Sequence, residues 1–267
     1  MLNYTGFSKQ LHDPNNLYTL VVNALKKARL INSKIDSKIR FASRTDRGVG
    51  AINQVISFFT NKRPIIQEIN SYLPDTLRVL GFTEVPASFH PRKDAILRTY
   101  SYFLCVGHGL DLPIMRKTLN LLVGTHDFLN FAKNDPKKEK KTIKNIKTAD
   151  IFELNNNTYQ IRISSKSFLW QQVRRIIGHL IDVSSGKCDN QYTLRLLKNE
   201  SINFKPSPVP PQYLILEKVH YGSVKFDYDE KSLILFSHTL LEQLTQARSN
   251  DGLYSFLTNY FNNLRKE

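Results

Sequence analysis

Asp46 stands between Arg44 and Arg47 in SRTDRGVGAINQVISFF, residues 43–59. Flanking guanidinium groups favour a carboxylate in its ionised form. In a short loop such a carboxylate can act as a nucleophile or close a salt bridge. Thr45-Asp46-Arg47-Gly48 also has ordinary turn composition between IRFAS and NQVISFF, so the local stretch leaves nucleophile and plain turn both open. A second charge comes from FLWQQVRRIIGHL, residues 168–180. At helical spacing Trp170, Val173, Ile176, Ile177, Leu180 and Ile181 form an apolar face. Arg174 falls toward it, whereas Arg175 joins Gln171, Gln172 and His179 on the polar face. An inward guanidinium needs a carboxylate, because a buried charge left unpaired costs about 3–5 kcal/mol. Asp46 is one candidate partner; Asp182, or an escape of the guanidinium to solvent, is the alternative.

These side chains need a scaffold. Leu17, Leu20, Val21, Ala24, Leu25 and Ala28 follow the spacing of an amphipathic helix. IRFAS and NQVISFF read as short strands, and Pro64 opens a helical pattern through Ile65, Ile66, Ile69 and Leu73. LRVLGFTEV reads as a strand, FHPRKDA as a connection, and ILRTYSYFLCV as a strand whose alternation sets Arg98, Tyr100 and Tyr102 on one face. The second half brings a helix around Met115 to Leu122, strands at ADIFEL and TYQIRIS, a helix from about Ser167 to Ser184, and a strand in PPQYLILEKVHYG. The tail from Val224 holds helical patterns at Leu240, Leu241 and Leu244 and again at Tyr254 to Leu264. The expectation is an α+β protein with helices on one side of a sheet that its two halves share. The divisions expected are residues 1–97, residues 98–222, and a helical tail at 223–267.

The formal charge of +15, with pI near 9.7, makes a polyanion the leading partner class. The run KNDPKKEKKTIKNIK, residues 133–147, holds seven lysines against Asp135 and Glu139, a net of +5. It reads as a grip on nucleic acid or as a solvated loop. It lacks the apolar stripe of a membrane-surface helix. No apolar run approaches the roughly 20 residues that cross a bilayer, and the start, MLNYTGFSKQLHDPNN, has no export pattern; the expected location is the cytoplasm. Cys105 and Cys188, with seven scattered histidines, offer neither a disulfide framework nor a zinc site.

SRTDRGVGA resembles the R-T-D-x-G-V-x-A signature of the TruA-type tRNA pseudouridine synthases, in the form of their archaeal branch. GFSKQ at Gly6 to Gln10 is similar to the family's G-[WF]-x-x-Q, FHPR at Phe89 to Arg92 to its F-H-A-R, and RTYSY at Arg98 to Tyr102 to its R-x-Y-x-Y. GTHDF at Gly124 to Phe128, FLWQQVRRIIG and VPPQYLILEKV match further motifs in order, so the resemblance spans residues 6–221. It implies cofactor-free isomerisation of uridine to pseudouridine at positions 38 to 40 of the tRNA anticodon arm. Carried over by position, Asp46 would be the nucleophile and Tyr100 the residue that stacks on the base and takes the C5 proton. Arg174 would be the partner that holds Asp46, and Arg44 the side chain that enters the stem where the nucleotide flips out. Arg47, His90, Arg92, Arg98, Lys137, Lys138, Lys140 and Lys141 would join Arg44 along the RNA.

The fold implied is two RRM-like halves on a central, mostly antiparallel sheet, an active-site cleft between them, and a homodimer that presents tRNA across both subunits, with no metal and no membrane. Gly50 stands where the family has a histidine and Gln172 where it has a methionine. The family's first strand and Y-D-G turn, which come before G-[WF]-x-x-Q, have no counterpart ahead of Gly6, and the expectation is a natural start upstream of Met1. The competing class is a non-catalytic RNA-binding relative that keeps the basic cleft; Asp46, Tyr100 and Arg174 argue against it.

Overall fold

A computed structural model describes residues 7, 16–32, 38–106, 110–133, 141–155, 157–200 and 202–264. Helix α1 (Leu17–Lys27) obeys the apolar spacing, with Leu17, Val21, Ala24 and Leu25 buried. Two-residue strands β1 (Arg40–Phe41), β2 (Gly50–Ala51) and β3 (Ile56–Ser57) surround the Asp46 loop, followed by α2 (Ile66–Asn70) and β4 (Gly81–Phe82). Then come β5 (Leu97–Cys105), α3 (Leu112–Leu122), β6 (Gly124–Asp127), β7 (Ile143–Asn155), β8 (Thr158–Ser165), α4 (Gln172–Ser184) and α5 (Asn190–Leu197). β9 (Leu214–His220), β10 (Asp227–Tyr228) and α6 (Glu230–Leu264) complete the order.

The chain forms two compact units, one of Met1–Leu20, Lys34–Phe59 and Pro86–Ser223, the other of Val21–Ser33, Thr60–Val85 and Val224–Glu267. The first holds a six-stranded mixed sheet in the order β2-β9-β5-β8-β7-β6, in which β2 runs parallel to β9 and the remaining pairs are antiparallel. This is an α+β arrangement. Tyr100 lies opposite Ile163 of β8 and Leu216 of β9, and Tyr102 opposite Ile161 and Leu214. That face is the core: Ile151, Ile161, Ile163 and Leu216 are fully buried, and α3 packs against β7, α4 and α5. Arg98, Tyr100 and Tyr102 share the buried side of β5, as the strand alternation requires.

Several elements differ from their expected bounds. The helix expected from Ser167 begins only at Gln172, because Gln171 takes a left-handed conformation (φ 61°) and the Gln172 side chain turns back to accept from Leu169 N–H at 2.8 Å. Trp170, expected in the apolar face, therefore lies ahead of the helix, largely exposed, with Lys133 Nζ 4.5 Å from its ring centroid. LRVLGFTEV pairs only at Gly81–Phe82, where β10 supplies a partner. α2 stops at Asn70, short of Leu73.

In the second unit the Asp229 carboxylate accepts from Ser232 N–H at 2.8 Å and from Gln67 Nε2 at 2.7 Å, which fixes the start of α6. The two tail patterns join in that single helix. Among the described residues no helix is long and apolar enough to cross a membrane.

Candidate active site

The Asp46 loop is built as a turn. Val49 N–H donates to Asp46 O at 3.1 Å, and Gly48 takes φ 80°, the position that a type II turn reserves for glycine. Turn and reactive carboxylate are thus compatible in one segment: the turn sets the backbone and leaves the Asp46 side chain free to face α4. Arg174 meets it, Nη1 to Oδ2 at 3.4 Å, with side-chain exposures of 12% for the arginine and 26% for the aspartate. Asp182, the alternative partner, is taken by Lys187 at 3.0 Å.

The guanidinium is aimed from a second side, because Arg174 Nε donates to Val209 O at 2.7 Å, while Val209 N–H donates to Arg174 O at 3.2 Å. Segment 206–209 is laced to α4 by these bonds and by Arg175 Nη1, which donates to Pro206 O at 2.6 Å. Gly178 permits the close approach: a Cβ there would stand 2.0 Å from Ser207 O. The hydrogen bond between Arg174 and Asp46 is long and orients the carboxylate from one side.

Tyr100 is buried beside this corner. Its ring meets Phe168 edge-on with centroids 5.4 Å apart, and its hydroxyl lies 2.8 Å from Ser43 Oγ. Burial pushes the phenol pKa up; the Ser43 hydrogen bond and the Arg98 charge pull it down, and the Asp46 charge raises it again. Tyr102, on the same face, is pushed up to about 12 by burial and by Tyr213.

Arg98, placed along the RNA by the resemblance, is elsewhere. It is 5% exposed, and its guanidinium donates to Ala42 O and Arg92 O, each at 2.8 Å, and to Lys166 O. It clamps three segments around the site from within and has no surface to offer a phosphate.

The polar face expected on α4 is also corrected. Gln172 and His179 are buried: Thr193 and Tyr192 of α5 and Phe131 of a short 3-10 turn at Leu129–Phe131 pack against His179, and Gln172 turns back onto Leu169 N–H. Arg175 is half-buried, with Nε lacking a hydrogen-bond partner among the described residues.

Arg44, Arg47 and Arg92 are exposed and His90 is half-buried. His90 Nδ1 accepts from Arg92 N–H at 3.2 Å, and burial followed by the charges of Arg40 and Lys93 lowers its pKa. A neutral ring so bonded keeps its proton on Nε2, as a donor. Lys141 is exposed; Lys137, Lys138 and Lys140 lie outside the described residues.

Sequence reasoning missed Ser43, Gln54, Phe168 and Val209. Ser43 adjoins the R-T-D signature, but nothing local announces a partner 57 residues away. Among the described residues no cluster of three or more His, Cys, Asp and Glu could hold a metal.

A family model described as tRNA pseudouridine synthase matches residues 119–222, a stretch that contains Arg174. The chain is 35% identical over 244 residues to tRNA pseudouridine synthase A of Thermococcus kodakarensis, covering 90% of this chain and 89% of that protein. It is 33% identical over 262 residues to tRNA pseudouridine synthase A of Pyrococcus furiosus, covering 95% and 92%. To the protein of that name from Methanosarcina mazei it is 36% identical over 202 residues, covering 74% and 73%.

Proposed function

The chain belongs to the tRNA pseudouridine synthase family of isomerases, and we propose that it converts uridine to pseudouridine at positions 38 to 40 of the tRNA anticodon arm without a cofactor. The observation that carries this reading is the Asp46–Arg174 pair at 3.4 Å beside a buried tyrosine hydroxyl. The reaction breaks the bond from N1 to C1′, turns the uracil and joins C5 to C1′. Atoms and oxidation state balance within one nucleotide, so the chemistry needs one anionic group near base and sugar and one proton acceptor.

Asp46 supplies the anion, attacking uracil C6 or sugar C1′ or removing a sugar proton. Arg174 holds the carboxylate oriented. Tyr100 takes the C5 proton once the new bond has formed. The target base reaches this corner only when flipped from the stem. Arg44 enters the gap it leaves. Arg47, His90, Arg92 and Lys141, with Lys137, Lys138 and Lys140 of the basic run, bind the RNA backbone. Two RRM-like halves, a cytoplasmic location and a homodimer that shares one tRNA complete the reading.

The test is incubation of purified protein with an anticodon-arm tRNA and with a transcript whose uridines at positions 38 to 40 are replaced by cytidine, followed by carbodiimide mapping. Pseudouridine at those positions of the first RNA alone is the expected result; modification elsewhere, or none, ends the proposal.

A further inference from the structure

We propose that Ser43 is a positioning residue for this isomerisation, acting through Tyr100 by fixing the direction of its hydroxyl. The inference rests on the role given to Tyr100 above and adds a residue to it. Packing holds the tyrosine ring. β5 is paired on both edges, to β8 and to β9, and Phe168 meets the ring edge-on. What packing cannot hold is rotation about the phenolic C–O bond, which decides whether the oxygen's lone pairs face a base or the protein wall. Ser43 Oγ, 2.8 Å from that oxygen and buried with it, removes this freedom.

Ser43 can do so because its own backbone is fixed on both sides. The Gln54 carboxamide accepts from Ser43 N–H at 3.1 Å and donates to Ser43 O at 2.8 Å. The preceding residue, Ala42, donates its N–H to Val55 O at 2.9 Å and accepts from Arg98 at 2.8 Å. With N–H and C=O so engaged, the hydroxyl is the remaining polar group of Ser43, and it is aimed at Tyr100. A serine that only completed a turn would bond its own neighbourhood, two to four residues away. This one reaches across 57 positions to the proposed proton acceptor. Either oxygen can donate, so Ser43 can serve the neutral phenol as acceptor and the ionised one as donor.

The experiment is a double-mutant cycle on single-turnover rates at saturating tRNA, with tRNA affinity and melting temperature measured alongside. Ser43→Ala should slow turnover about 10- to 100-fold, within the range of general acid–base effects, and leave affinity unchanged. Tyr100→Phe should slow it at least as much, and adding Ser43→Ala to Tyr100→Phe should cost nothing further. Ser43→Thr, which keeps a hydroxyl, should recover most of the rate. Equal losses from Ser43→Ala in the parent and in the Tyr100→Phe background would overturn the proposal, because Ser43 would then act on the Asp46 loop and not on Tyr100. A slow Tyr100→Phe beside an unimpaired Ser43→Ala would overturn it too, and would leave the role of Tyr100 standing. Parent-like turnover by Tyr100→Phe would remove that role first, and Ser43 with it.

Discussion

Arg174 and His179 lie five positions apart on α4, and each carries a basic group out of bulk water, yet their surroundings impose opposite states. Arg174 points to a carboxylate at the edge of the core and keeps a quarter-exposed partner. His179 is fully enclosed, with ring centroids of Phe131 and Tyr192 at 5.6 and 6.5 Å, Thr193 Oγ1 2.8 Å from Nε2, and Cys188 Sγ 3.8 Å from Nδ1. Among the described residues no carboxylate bonds it, and burial, outweighing the charge of Asp182, lowers its pKa to about 4, so the ring stays neutral. Burial also lifts the Cys188 thiol to about 11, which leaves no thiolate for the imidazole to activate. The lesson is that burial alone makes no active site: the Asp46 corner keeps a charge and its counter-charge within reach of solvent, while in the packing corner both ring nitrogens of His179 are taken up by neutral neighbours.

That contrast breaks first at Asp46. Asp46→Asn keeps shape and hydrogen-bonding capacity but removes the charge, so turnover should fall by at least about 1,000-fold, more than 4 kcal/mol in barrier. tRNA affinity should change little, whereas the melting temperature should fall, because Arg174 loses its counter-charge. Residual turnover near the parent rate, read by carbodiimide mapping, would mean that Asp46 is only a turn residue.

The packing corner should answer to acid instead. His179 binds its proton with a pKa near 4 in the folded protein against 6.5 ordinarily. The unfolded chain therefore takes up the proton first as pH falls. The stability tied to this neutral ring is complete above pH 6.5 and is lost as pH drops toward 4, by about 3 kcal/mol. Urea unfolding of the parent at pH 7 and pH 4.5 should differ by more than that of His179→Gln. Parallel pH dependence in the two proteins would place the acid-sensitive group elsewhere.

Gly178 stands between the corners and should couple them. Any Cβ there collides with Ser207 O, so Gly178→Ala must part α4 from segment 206–209 and move Val209 O off Arg174 Nε. Overpacking of this kind costs about 1–3 kcal/mol. Turnover should fall together with stability, more steeply than stability alone explains, because the displaced carbonyl also aims Arg174. A variant that melts early but turns over normally at low temperature would separate Arg174 from its Val209 support.

What the sequence could disclose was local. Helical spacing brought Arg174 inward, strand alternation put Tyr100 and Tyr102 on the core side of β5, and glycine in a turn composition described the loop that carries Asp46. What stayed hidden depends on distant neighbours. His179 looks like part of a solvent face until α5 closes over it, and Arg98 looks like a phosphate contact until carbonyls from three segments are found around it. Trp170 looks like core because periodicity cannot foresee that Gln171 turns left-handed and delays the helix. Arg98 and His179 changed role through partners contributed from elsewhere in the chain, and Trp170 through a local backbone turn, neither of which a hydrophobic period encodes.

Arg175 is the finest test of the comparison, because it adjoins Arg174 and differs from it only in direction. Sequence spacing put it on the polar side of the helix, where its removal would be mild. In the folded protein it is half-buried, donates to Pro206 O at 2.6 Å, and holds Gln171 Oε1 more weakly at 3.5 Å. Burial and the neighbouring Arg174 charge both lower its pKa. Arg175→Ala forfeits one good hydrogen bond to a backbone carbonyl, but it also relieves a buried Nε without a hydrogen-bond partner among the described residues and a like charge beside Arg174. These terms oppose one another, so the net loss should stay near 1 kcal/mol, a fall of roughly 2–4 °C in melting temperature. Turnover at saturating tRNA should match the parent, since Arg174 keeps both Asp46 and Val209. A loss of turnover as large as that of Arg174→Ala would show that segment 206–209 is held to α4 chiefly by Arg175, and that the two arginines orient the carboxylate as a unit.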